Sequence, residues 1–255
     1  MKKKYELTDE TLEWCGHTLH QIKALKYFGN VKKGDMGGFV EKEDNLSQNN
    51  DCWVYDNAKV FGNANVSYDA QVYDNAEVYG NARVFESAEI YGNAKVYGDA
   101  MIWGKAKAFD DAVVIGNAKI FQNTNVYGKA LVFDTAEVYG HAKIGGNARV
   151  YGNAIIGGNA EVFDCAQICG NAGIFGNAKV NSIRDYIVFK NSWSSGRWFT
   201  WTKSNDMWCV GCFYGTGKQL IEKAYDDSEE SGRNYAIIVN TVKQINNEEE
   251  IRINR

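Results

Sequence analysis

Ala58-Lys59-Val60-Phe61-Gly62-Asn63 is one copy of a six-residue unit that the chain repeats without a slip from Val54 to Val180. Every sixth position over that stretch is Val, Ile or Ala. Four places after each of the first twenty-one of these positions stands Ala, with Thr124 the one exception. Ala and Val of a unit are two apart, so on a strand both point to one side and the residues flanking Val point to the other. Gly-Asn, Asp-Asn or Gly-Asp then interrupts the strand, because these residues tolerate the left-handed backbone that a corner needs. A strand this short cannot bury its apolar side alone, so successive units must stack into a solenoid.

The number of sides follows from residues 18 apart. Gly62, Gly80, Gly98, Gly116, Gly152 and Gly170 share one corner series, broken only by Asp134, while Asp56, Asp74, Asp110 and Asp164 fall in a second and Tyr68, Glu86 and Gln122 in a third. The residue before Val alternates in charge at the same step, as Lys59, Glu77, Lys95 and again as Lys143, Glu161, Lys179. A two-sided coil would instead align Arg83, Lys95, Lys107 and Lys119, which repel. The spacing predicts a mainly β fold, a three-sided parallel β-helix of about seven coils and roughly 33 Å in length.

Val-x-x-x-Ala-x at strict hexad spacing resembles the left-handed parallel β-helix of hexapeptide-repeat proteins, and the handedness is implied by that resemblance. The chain is more closely similar to phage- and prophage-encoded solenoid proteins built on Ala-x-Val-x-Gly-Asn units. Tyr5-Glu6-Leu7-Thr8-Asp9-Glu10, Gly34-Asp35-Met36-Gly37-Gly38-Phe39-Val40, Asp51-Cys52-Trp53-Val54 and Val210-Gly211-Cys212-Phe213-Tyr214-Gly215-Thr216 carry the likeness. It implies an architecture and a phage origin, and no activity. Hexapeptide-repeat proteins are commonly trimers, so the resemblance also implies a homo-oligomer, dimer or trimer.

The 255 residues contain no proline, which suits a rod of stacked strands because proline cannot donate to a ladder. A net charge of -4 is too mild for a nucleic-acid binder. Met1-Lys2-Lys3-Lys4-Tyr5-Glu6 is followed by no apolar stretch, so neither a signal peptide nor a membrane span is expected and the location is cytoplasmic, that of a host cell. The six cysteines are then reduced. Cys209 and Cys212 have the spacing of a metal or redox pair, but no second pair completes a zinc site and packing explains them as well.

Both ends of an open solenoid need covering. Residues 1–53 lack the hexad and read as an N-terminal cap of short strands, with a binding domain as the alternative. Residues 54–181 form the β-helix. Residues 182–255 read as an α+β module of three strands (Tyr186-Ile187-Val188-Phe189, Arg197 to Thr202, Met207 to Tyr214) and two helices, the first opened by a capping box of Thr216 and Gln219. Trp193, Trp198, Trp201 and Trp208 lie there and, with Tyr214, are the candidate binding residues. The same tryptophans would serve equally as the core of so small a domain. On alternation, Trp198 and Thr200 share one side of their strand and Phe199 and Trp201 the other.

The residue after Val is aromatic in sixteen of twenty-one units. These outward rings either stack on one another, are covered by partner subunits, or bind planar ligands or sugar rings. Gly145, Gly157 and Cys169 interrupt them and leave room for the last module to fold back. Acyl transfer would need a histidine base, for which His141 at a corner is the weak candidate and a tolerated surface substitution the simpler account. No catalytic triad, phosphate loop or paired carboxylate appears, and no cofactor is expected. The sequence therefore points to a non-enzymatic, phage-derived binding protein acting on a host protein or small ligand, with an inhibitor of host defence as the specific form. An acyltransferase-like enzyme is the first alternative and a fibre component the second.

Overall fold

The computed structural model describes residues 3–192 and 196–253, the last six as helix backbone only. Twenty-two two-residue rungs, from Trp53–Val54 to Lys179–Val180, pair in parallel with the rungs 18 residues before and after them. Lys95 lies beside Val113 and Val96 beside Val114, for example. The result is a three-sided coil. Its first face carries eight rungs (Trp53–Val54 onward), its third seven (Asn65–Val66 to Gly173–Ile174), and its second seven (Lys59–Val60 to Gln167–Ile168) that extend an N-terminal sheet.

The Val, Ile and Ala positions are buried all along the tube, mostly at 0% exposure. Each Val or Ile side chain removed from water contributes about 1.5–3 kcal/mol, which is why half the chain can form a rod with no helix packed against it. Thr124, the one exception to Ala, is also buried, and its hydroxyl donates to the Phe121 and Val138 carbonyls at 2.7 and 3.4 Å.

Corners repeat with the same regularity. The residue two after Val has positive φ at every corner from Asp56 to Gly176. Where it is glycine the reason is contact as well as conformation: a Cβ on Gly104 would meet the Gln122 backbone nitrogen at 2.7 Å. At most of the corners where it is not, the side chain compensates for the left-handed cost. Asp74, Glu86, Asp110, Gln122 and Asp134 each accept the backbone N–H of the corner residue one coil on, at 2.7–3.0 Å.

The solenoid begins one turn earlier than the hexad suggests, so it has about eight turns rather than seven. Strand β3 (Met36–Val40) pairs in parallel with Lys59–Val60, and Leu46 bridges Val66. Val40 and Leu46 are six apart, but the step from Leu46 to Val54 is eight, which hides this coil from a strict six-residue count. The widened corner is held by Lys4, whose buried ammonium donates to the carbonyls of Asn49, Asn50 and Cys52 at 2.8–3.4 Å and lies 3.2 Å from the Cys52 sulfur. Strands β1 (Tyr5–Trp14) and β2 (His17–Ala24) form an antiparallel hairpin that continues the second face beyond β3. Its tip folds down that face, placing His17 against the Phe61 ring and Trp14 over the Lys59 ammonium.

The C-terminal module has four antiparallel strands, β4 (Tyr186–Lys190), β5 (Trp198–Thr202), β6 (Met207–Val210) and β7 (Phe213–Thr216), and two helices, α1 (Gly217–Asp227) and α2 (Glu229–Ile253). The expected third strand is two, because Gly211 turns left-handed with Cys212 to make a tight hairpin. Thr216 and Gln219 form the capping box at α1. One side of this sheet, including Phe199, Trp201, Trp208 and Val210, packs under Leu220, Ala224, Tyr235, Val239 and Val242 of the helices. Among the described residues no helix is long and apolar enough to cross a membrane.

Candidate functional site: a cleft at the C-terminal end of the solenoid

Within the solenoid each outward-facing rung residue donates its N–H to the next coil, as Lys95 does to the Ala112 carbonyl. The last coil has no next coil, and the module satisfies its main-chain groups with side chains. Gly173 N–H donates to Thr200 Oγ1 (2.9 Å) and Lys179 N–H to Ser204 Oγ (2.7 Å). The Gln167 carbonyl accepts from the Tyr186 hydroxyl (2.8 Å), and the Phe175 carbonyl from the Tyr214 hydroxyl (3.1 Å) and Asn205 Nδ2 (3.3 Å). All three edge strands are thus closed without strand addition.

Closure by side chains leaves space between the third face and the module's other sheet side. Two lobes of about 370 and 320 Å³ open there, sharing Phe175, Cys209 and Gly211 as a common wall. The first is bounded by Tyr139, Phe213 and Tyr214, the second by Asn171, Arg197 and Trp198. Volumes of this size are those of small-ligand sites. Burial pushes the Cys209 thiol up to about 11 and raises Tyr139 and Tyr214 above the ordinary tyrosine value. Cys209, Tyr139 and Tyr214 are therefore held protonated at pH 7, and among the described residues neither histidine nor carboxylate lines either lobe.

The candidate residues divide sharply. Trp198, 36% exposed, stands at the rim of the second lobe, and Tyr214, 41% exposed, borders the first. Trp201 and Trp208 belong to the module core: the first donates its indole N–H to Asp206, and the second is fully buried. Both are packed under the helices on the side of the sheet away from the cleft, and neither lines a lobe. Trp193 lies outside the described residues. Cys209 is a half-buried wall residue and Cys212 an exposed hairpin residue, both as free thiols. The raised Cys209 value disfavours the thiolate that a metal or redox role requires.

His141 is an exposed corner residue whose backbone N–H donates to the Gly158 carbonyl at 2.7 Å. It does not line the cleft, although Tyr139, two residues earlier, does. The room left by small residues is also used otherwise than expected. Gly145 is overlain by the Tyr127 ring and Gly157 by Phe175 and Tyr139, while the module docks at Gly173 and Gly176, where a Cβ would strike Cys209 and Tyr214. Gly173 takes the place of a charged or bulky ladder residue, which is the sequence signal that marks this contact.

The outward rings mostly stack on their neighbours one coil away. Tyr73, Tyr91, Phe109 and Tyr127 have centroids 4.8–5.4 Å apart and planes within 10° of parallel. Phe85, Trp103 and Phe121 do the same at 4.5–5.6 Å. Ring faces are spent on one another and only edges meet solvent, which leaves these columns poorly suited to stacking a planar ligand.

A family model described as YdcK beta solenoid repeat matches residues 142–158. The "Uncharacterized acetyltransferase YdcK" of Escherichia coli (strain K12) is 44% identical over 50 residues. The chain is similar to that protein over this stretch alone. The match covers 19% of this chain and 15% of the relative, so the chain spans well under two thirds of it.

Proposed function

We propose that this is a non-enzymatic binding protein in which the solenoid holds the C-terminal cleft rigidly toward a partner or ligand. The observation that carries this reading is the cleft wall: aromatic rings line the first lobe, a partly exposed tryptophan stands at the rim of the second, and among the described residues no histidine or carboxylate lines either. Chemistry at neutral pH needs a base or nucleophile poised near that pH, and the Cys209 thiol, raised to about 11, is far from it. The resemblance to phage-encoded solenoids supplies the specific form of the reading, in which the partner is a host component met in the cytoplasm and the protein acts as an inhibitor of host defence.

A second reading, acetyl transfer with His141 as base, is favoured by the name of the relative and by the closeness of His141 in sequence to Tyr139. A thermal-shift and turnover assay with acetyl-CoA separates the two. The binding reading expects no turnover and an unchanged melting temperature. Acetyl-CoA-dependent turnover that disappears in His141→Ala would replace it with the enzyme. A partner or ligand co-purifying with the native protein, identified by mass, should be lost in Trp198→Ala, and retention there would move recognition away from the cleft.

A further inference from the structure

Resting on the cleft as the binding site, we propose that its first lobe takes a neutral aromatic carbonyl compound, such as an aryl carboxamide, whose oxygen accepts the Gly176 main-chain N–H. The solenoid itself shows what that N–H binds. On the same corner one and two coils further up, Glu86 Oε2 accepts the Gly104 N–H at 3.0 Å and Gln122 Oε1 accepts the Gly140 N–H at 2.7 Å. The series then runs Gly140, Gly158, Gly176, all left-handed. With glycine at 158 no corner side chain reaches down, and among the described residues the Gly176 N–H has no hydrogen-bond partner.

The approach to that N–H lies in the lobe. A Cβ on Gly158 would come within 2.9 Å of the Gly176 nitrogen, so the side-chain direction of residue 158 leads to it. Gly158 and Gly176 both line the first lobe, together with the rings of Tyr139, Phe175, Phe213 and Tyr214. At an open corner water meets such an N–H. Between aromatic walls it is met by whatever fills the lobe, and leaving it unmet there is costly. The Tyr214 hydroxyl is already given to the Phe175 carbonyl at 3.1 Å. Charge decides the kind of oxygen. Among the described residues no Lys or Arg lines this lobe, and Cys209, Tyr139 and Tyr214 are protonated at pH 7. A carboxylate would lose its water there without gaining a cation, whereas a carbonyl has no charge to desolvate. The four rings suit a flat aryl body, and the donor at their foot suits one neutral acceptor on it.

The test is an NMR titration of the full-length protein with benzamide, benzoate, toluene and acetamide, which differ in charge, acceptor and body. Benzamide should bind roughly fivefold more tightly than toluene or benzoate, with acetamide undetected. The Gly176 amide proton should shift with benzamide and stay in place with toluene. Gly158→Asp sets a carboxylate beside the Gly176 N–H, as Asp134 does beside that of Gly152 at 3.0 Å, and should lower benzamide binding to the level of toluene. Gly98→Asp puts the same side chain on a left-handed corner away from the cleft and should leave benzamide binding unchanged, so a folding defect common to such corners would show there too. Benzoate binding more tightly than benzamide, a Gly176 amide unmoved by bound benzamide, undiminished benzamide binding in Gly158→Asp, or no binding of any probe would overturn the proposal. If the probes fail while Trp198→Ala still releases the co-purifying species, the ligand class is wrong and the cleft reading stands. If that release also fails, the cleft reading falls with it.

Discussion

The two ends of the rod solve one problem in different ways. At the N-terminal end the sheet simply continues: β3 adds a parallel rung, β2 and β1 fold back antiparallel, and Lys4 and Asn45 reach the remaining carbonyls, Asn45 donating to those of Gly62 and Ala64. At the C-terminal end no strand is added, and hydroxyls and an amide from a separate four-stranded sheet satisfy the last coil. Main-chain continuation sets β3 directly on the next rung, Phe39 beside Lys59 and Val40 beside Val60. Side-chain closure holds the covering sheet away from the coil, and the resulting space is the cleft. The cleft is on this account a by-product of how one edge is covered.

Removing residues 182–255 should have the largest effect. It uncovers three strand edges and a cut apolar core, and the shortened protein should associate end to end, seen as heavy species in sedimentation. A monomeric truncated protein would show that the module is not what closes the end.

Val114→Asp strikes the shaft that both ends share. Burying an unpaired carboxylate in the tube should abolish folding, read as loss of the far-UV circular dichroism signal. Single changes at the two caps come next. Lys4→Ala strips a buried cation from three carbonyls and should cost about 3 kcal/mol in urea unfolding, whereas Thr200→Val removes one neutral acceptor and should cost about 1–2 kcal/mol. Equal costs would erase the contrast between the ends.

Alkaline pH probes the columns together with the caps, where burial also raises Tyr5, Tyr186 and Tyr214. Burial raises Tyr79 to about 12, and Tyr73, Tyr91 and Tyr139 shift in the same direction. A raised folded value means the unfolded chain loses its protons first, from the ordinary tyrosine value near 10. Stability is therefore complete below that pH and falls as pH rises toward about 12 for Tyr79. Tyr79→Phe should move the alkaline unfolding midpoint upward, measured by circular dichroism against pH. Lys107→Ala, which removes a half-exposed pair with Glu89, should cost under ~1 kcal/mol.

The shaft was legible because its information is local and periodic. Residues 18 apart in sequence are neighbours in space, so Lys95 against Glu77 and Gly98 against Gly116 could be read directly. Alternation likewise separated Trp198 and Thr200 from Phe199 and Trp201. The first coil was hidden because an eight-residue step breaks the period, and the fourth module strand because Gly211-Cys212 is a two-residue turn inside an apolar run. The cleft could not be read at all: Phe175 and Tyr214 meet only through a docking of two sheets, and no spacing in the chain encodes that distance. Trp201 and Trp208 looked like binding residues for the same reason, since composition does not reveal which side of a sheet the helices cover.

The corner carboxylates and amides, where they occur, make one coil resemble the next. Each reaches upward to the same main-chain group 18 residues on, so a turn can be excised or duplicated without changing what its neighbours touch. Length can therefore drift in quanta of 18 residues and ~4.8 Å. Such a molecule is a ruler: evolution can adjust how far the two termini stand apart while leaving the chemistry at each of them untouched.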